Sequence, residues 1–131
     1  MTKLIPVVAA VIRNNGKILC VQRPDSKYEY ISKKFEFPGG KIEPNETDEA
    51  ALKREIFEEL TLKISVSDKF LVVEHSYPDF NIKLSSYLCD SSDRSISLNE
   101  HISHKWLEKS ELKFIDWAAA DVPIVDKLRQ K

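Results

Sequence analysis

Two apolar runs separated by a polar triplet open the chain: KLIPVVAAVIR over 3–13 and KILCVQR over 17–23, with Asn14-Asn15-Gly16 between them. Runs rich in β-branched residues on either side of an Asn-Gly pair predict a β-hairpin, because Asn and Gly tolerate the positive φ angles of its tight turn. Residues 24–36, PDSKYEYISKKFE, are polar and aperiodic and predict a loop. The period then changes. Over 47–60, Leu52, Ile56 and Leu60 recur every fourth residue, the spacing that lines one face of a helix. Residues 64–77 and 81–90 return to strand-like runs around Pro78-Asp79, a connection so short that the two must run antiparallel. SDRSISLNEHISH reads as loop, HKWL as a short strand and EKSEL as the start of a helical turn. DVPIVDKLRQK closes the chain as a helix with Pro123 in its first turn, where the missing N–H has no helical partner to lose. Strands and helices alternate unevenly. That predicts an α/β chain with a mixed sheet covered by helices, not a doubly wound parallel one.

No repeat, low-complexity tract or linker interrupts the 131 residues, so one domain over 1–131 is expected. A formal net charge of −1 provides no bulk basicity for a nucleic-acid polymer or an anionic membrane. No apolar run approaches the roughly 20 residues that span a bilayer. The apolar N-terminus lacks a cleavage site and ends in a turn signal, which favours a first strand over a signal segment. Cys20 and Cys89 each sit inside an apolar run, as reduced, buried thiols do, and a cytoplasmic location follows. Nothing in the chain demands a protein partner, so a monomer is expected.

The helical segment carries the chemistry. In REIFEEL (54–60), Glu55, Glu58 and Glu59 share an arc of about 100° beside the Leu52/Ile56/Leu60 stripe. Carboxylates crowded this way raise one another's pKa unless a cation compensates. Hard divalent cations suit such oxygen ligands, Mg²⁺ above all when phosphates complete the coordination, with Mn²⁺ as a substitute. A solvated acidic helix face gives the same pattern. Upstream, two of the chain's three glycines are adjacent in FPGGKIEPNE. So sparing a use of glycine implies a backbone needing positive φ or close approach to a ligand, with carbonyls for a metal or amides for an anion.

The stretch GKIEPNETDEAALKREIFEELTL, residues 40–62, resembles the Nudix box, G-x5-E-x7-R-E-U-x-E-E-x-G-U with U a bulky aliphatic. Gly40, Glu46, Arg54, Glu55, Ile56, Glu58, Glu59 and Leu62 fall in register; Thr61 stands where the pattern has glycine, at the expected helix end. The resemblance implies a Nudix-type α/β/α sandwich with a central mixed sheet, and an enzyme acting on a small nucleotide. It implies Mg²⁺ held by Glu55, Glu58 and Glu59 with the Gly39 or Gly40 carbonyl. Arg54 would orient the glutamates, and Glu46 would support the loop–helix geometry or a further metal.

The likeness extends over nearly the whole chain to the MutT-like and CTP-pyrophosphohydrolase branches, through VVAAVI, KFEFPGGKIE and WLEKSEL. It implies phosphate contacts from Arg23 and Lys41, either of which also reads as a surface charge. Glu100, six residues before Trp106, matches a further metal ligand or general base. The neighbouring His101 and His104 lack the further ligands a zinc site needs. Phe37, Tyr77, Asp79 and Asp121 match positions lining the nucleobase site; core packing for the aromatics and capping of the last helix for Asp121 are the plainer readings. Asp121 points toward cytidine nucleotides, whereas Tyr77-Pro78-Asp79 points toward 8-oxo-dGTP. The expected reaction is attack of water on the β-phosphorus of a (d)NTP to give (d)NMP and pyrophosphate, in nucleotide-pool sanitation. A hydrolase of ADP-sugars or dinucleoside polyphosphates, and a catalytically silent nucleotide-binding module, are the alternatives.

Overall fold

A computed structural model describes residues 3–130. The opening hairpin forms as β1 (Leu4–Asn14) and β2 (Lys17–Gln22), turning at Asn15 (φ 49°) and Gly16 (φ 77°). The two strands pair only next to the turn, Arg13 with Ile18 and Asn14 with Lys17. Beyond that they diverge. β4 (Gly39–Lys41) enters the gap antiparallel to β1, with Gly39 opposite Ala9 and Lys41 opposite Val7. β3 (Phe35–Glu36) pairs with the far end of β2, so the segment expected to be loop up to residue 36 ends in strand. A polar stretch read by period alone hides so short a strand.

The 64–77 segment forms one strand, β5 (Ser65–Ser76), with two irregularities in register, at 66/68 and 69/71. It pairs antiparallel with β6 (Asn81–Asp90), which runs parallel to β1 from Leu4↔Asn81 to Arg13↔Asp90. β7 (Ser103–Leu107) pairs antiparallel with β2. The sheet is therefore mixed, as the uneven alternation predicts.

β1 lies inside this sheet and is buried on both faces, which explains its unbroken apolar run. Val8, Ala10 and Ile12 pack with Leu19, Val21 and the helix α1 (Asp48–Leu60). Ala9 and Val11 pack on the other side with Ile18, Cys20 and the closing helix α2 (Val122–Arg129). Leu52, Ile56 and Leu60 are fully buried on α1, and burial of each such side chain contributes roughly 1.5–3 kcal/mol. The two thiols are free and buried, and burial pushes each up to about 12. The helix expected to reach Lys131 ends at Arg129, and Lys131 itself lies outside the described residues. Among the described residues no helix is long and apolar enough to cross a membrane.

α1 is closed at both ends. Thr47 accepts the Ala50 amide at 3.1 Å as its N-cap. At the C-terminus Thr61 takes the left-handed conformation, φ 54° and ψ 39°, and its amide donates to Phe57 O at 2.9 Å. The helix thus stops where a glycine would stop it, with a β-branched residue bearing the strain. Thr61→Gly is expected to stabilise the fold by about 0.5–1 kcal/mol, the relief of left-handed strain outweighing the greater freedom of glycine in the unfolded chain. A urea titration with no rise in midpoint would show that the strain is absent.

Candidate active site

Helix geometry puts the three box glutamates on the last turns of α1, and their surroundings differ. Glu58 is 54% exposed at its side chain, Glu55 18%. Glu59 is only 4% exposed, with Oε1 buried and unpartnered. Burial pushes the Glu59 carboxyl well above the carboxylate range, reinforced by a hydrogen bond with Glu55 and by the charges of Glu100, Glu36 and Glu55.

Arg54 is what holds the rest in place. Its Nε and Nη2 donate to the two oxygens of Glu46 at 2.7 and 2.9 Å, a bidentate pair. Nη1 donates to Glu55 at 2.9 Å and Glu58 at 3.2 Å, and Nη2 reaches the Lys41 carbonyl at 3.3 Å. Hydrogen bonds from Arg54 pull the Glu46 carboxyl down to about 2, so Glu46 stays ionised and ties the loop to the helix. Glu46 also accepts the Glu43 amide at 3.0 Å.

The glycine pair has a different cause from one of those its sequence allows: neither glycine has positive φ. Close approach is the reason for both, and it is to the chain itself rather than to a ligand. A Cβ on Gly39 would lie 1.9 Å from the Val8 carbonyl oxygen, so only glycine lets β4 pass β1. A Cβ on Gly40 would lie 2.4 Å from the Glu55 carboxyl. The Glu55 carboxyl lying against the Gly40 backbone, together with the orphan oxygen of Glu59, is a donor set that fits an oxygen-ligated divalent cation. Among the described residues no three acidic, histidine or cysteine side chains converge in a ligating arrangement, because Glu55 and Glu58 are turned onto Arg54.

A cavity of about 570 Å³ lies over β1, β4 and β6, lined by Arg23, Gly40 and Lys41, with Gly40 against the Glu55 carboxyl. Phe37, Tyr77, Asp79 and Asp121 line it as well. The two aromatics are core and wall at once: Phe37 stacks on Trp117 at 4.7 Å, and the Tyr77 hydroxyl accepts the Ala120 amide at 3.0 Å. Asp79 accepts the Tyr30 hydroxyl at 2.7 Å.

Asp121 precedes α2 but does not cap it. Its Oδ1 accepts the Phe37 amide at 3.0 Å across the cavity floor instead. Burial, then the charge of Glu36, raises its carboxyl well above the usual range against the opposing Phe37 amide and Arg23.

Arg23 is no free surface charge; its Nη1 donates to Glu36 at 3.1 Å. Glu100 is exposed on the loop before β7, and its charge is felt at Glu59. The His-x-x-His pair is split, His101 buried against Glu36 at 3.0 Å and His104 exposed on β7. Glu36 stands outside the residues that the sequence patterns and the box single out. Its one signal was a charged residue between Phe35 and Phe37, both of which face the α2 core.

The NUDIX domain family model matches residues 7–127 of this chain. The chain belongs to the Nudix family. This Nudix domain is 32% identical over 124 residues to a CTP pyrophosphohydrolase of Escherichia coli (strain K12), covering 95% of this chain and 90% of that one. It is 30% identical over 129 residues to an 8-oxo-dGTP diphosphatase of the same organism, covering 98% of each. Its fold matches the solution structure of a MutT Nudix hydrolase from methicillin-resistant Staphylococcus aureus 252, with TM-score 0.76, 42% identity and coverage of 99% and 98%. The mixed sheet between α1 and α2 is thus a Nudix fold, and the chain is a Nudix hydrolase.

Proposed function

We propose that this Nudix hydrolase converts a (d)NTP and water to (d)NMP and pyrophosphate, acting on (d)CTP-type or oxidised guanine nucleotides (8-oxo-dGTP) in nucleotide-pool sanitation. One observation carries the reading: a single cavity joins Gly40, against which the Glu55 carboxyl lies, and Lys41 to Asp121 and the aromatic walls. Its volume suits a small nucleotide.

Glu55, Glu58, Glu59 and Glu100, with the Gly40 carbonyl, would hold the divalent cation, Mg²⁺ or Mn²⁺. Bound there, the cation supplies a Lewis acid that neutralises phosphate charge and acidifies water. Arg54, anchored on Glu46, would orient Glu55 and Glu58 as ligands. Arg23 and Lys41 bring positive charge to the triphosphate, and Phe37 and Tyr77 flank the base. A protonated Asp121 offers a donor together with an acceptor. That pair matches the ring nitrogen and amino group of cytosine, and equally the O6 and N7–H edge of 8-oxoguanine, which is why both bases stay in the proposal.

The test is pyrophosphate release with and without Mg²⁺ from CTP, dCTP, 5-methyl-dCTP, dGTP, 8-oxo-dGTP, ATP and ADP-ribose. Mg²⁺-dependent release with preference for a cytidine or 8-oxoguanine substrate is expected. Turnover of ADP-ribose alone, or nucleotide binding without any hydrolysis, would refute the proposal.

A further inference from the structure

Glu36 pairs with Val21 across β2 and β3, and so shares a sheet face with the α1 core, opposite to Phe35 and Phe37. Both of its oxygens are engaged. Oε1 accepts from Arg23 Nη1 at 3.1 Å and Oε2 lies 3.0 Å from His101 Nε2, with the carboxylate side chain 20% exposed. The His101 side chain is only 5% exposed, and its Nδ1 has no partner; Arg23 Nε is likewise buried and unpaired. A buried imidazole against a carboxylate carries its proton on Nε2, so Glu36 fixes both its tautomer and its orientation.

His101 follows Glu100, and the segment around Glu100 is tied down on both sides. Before it, the Asn99 amide donates to Glu59 O at 3.0 Å and the Asn99 side chain to Glu58 O at 2.8 Å, while Ser97 N reaches Leu60 O at 2.9 Å. After it, Ile102 N donates to Gln22 O at 3.0 Å and the Ser103 hydroxyl to the Gln22 side chain at 2.6 Å. His101 is the tie that reaches the cavity wall. One carboxylate therefore holds the guanidinium on the phosphate side and the backbone that presents Glu100.

We infer that Glu36 is a positioning residue with two arms, Arg23 for the triphosphate and His101 for the Glu100 loop. This rests on the roles of Arg23 and Glu100 proposed above. Charge alone does not explain its place, since Glu59 and Asp121 are carboxyls already crowded by it. A half-buried acid there is tolerated because two donors claim it.

The test compares Glu36→Ala, His101→Ala, their double variant and His101→Gln, whose amide can donate where Nε2 does. Mn²⁺ affinity is read by electron paramagnetic resonance without substrate, and kcat and KM with the substrate the wild type prefers. Glu36→Ala and His101→Ala should each weaken Mn²⁺ binding about tenfold, as loss of groups supporting metal ligands does. The double variant should be no worse than the poorer single one, and His101→Gln should stay close to wild type. Glu36→Ala should also raise KM, whereas His101→Ala lowers kcat with KM little changed. Effects that multiply in the double variant, failure of His101→Gln to rescue, or an unmoved KM in Glu36→Ala would overturn the inference. The Mn²⁺ arm needs no nucleotide, so a wild type that hydrolyses none of the triphosphates would refute the proposed function and leave the His101 arm separately measurable.

Discussion

Glu59→Gln is expected to abolish most turnover while making the metal-free protein more stable. Glu59 is the most buried of the box glutamates, and one of its oxygens has no protein partner. As a proposed ligand it gains that partner only from a cation, so the amide should cost on the order of 10³-fold in kcat, about 4 kcal/mol of transition-state stabilisation. The same carboxylate is a burden to the fold without metal. Its folded pKa lies above the ordinary 4.5, so the folded state binds the extra proton, and stability falls as pH rises above about 4.5 toward the folded value. Glutamine removes that fall. In EDTA near neutral pH its Tm should exceed wild type by about 3–6 °C, for relief of about 1 kcal/mol. Activity within tenfold of wild type would remove Glu59 from the metal site, and an unchanged Tm would show that burial of the acid costs nothing.

Asp121 should decide both the pH profile and the integrity of the cavity floor. Its folded pKa is raised, so the donor-bearing form persists above the usual carboxylate range, and kcat/KM for the preferred substrate should fall as pH rises through the folded value. Stability contributed by this group follows the same sign, declining with rising pH above the unfolded value. Asp121→Asn keeps an acceptor for the Phe37 amide and a permanent donor, so the alkaline decline belonging to this group should vanish. Asp121→Ala leaves the buried Phe37 N–H unpaired and should cost about 1–3 kcal/mol, with a fall in kcat/KM of about 10²-fold or more. Identical alkaline limbs in wild type and Asp121→Asn would assign that limb to another group. Thermal unfolding of the two variants separates the structural loss from the recognition loss.

Local pattern determined much of this molecule. Apolar runs and turn chemistry set the hairpin at Asn15-Gly16, the four-residue period set α1, and the order REIFEEL put three glutamates beside a buried stripe. These are properties of neighbours in the chain, and they hold whatever the rest of the fold does. The expected helix stop at Thr61 also held, at the cost of left-handed strain in a threonine.

Four features needed the tertiary structure. The cause of the glycine pair was close approach, not positive φ, because it depends on what lies opposite: Val8 for Gly39 and Glu55 for Gly40. Position in sequence allowed Asp121 to cap the last helix as the plainer reading, yet its carboxyl turns to Phe37, 84 residues away. Glu36 joins Arg23 and His101 across strands β2, β3 and the loop before β7. Burial, too, sorts Glu58 from Glu59, adjacent residues of one type with opposite environments. The sequence by itself determined the elements and the charges they carry. Which charges lose water and which partner each then finds is a property of packing, and only the folded chain decides it.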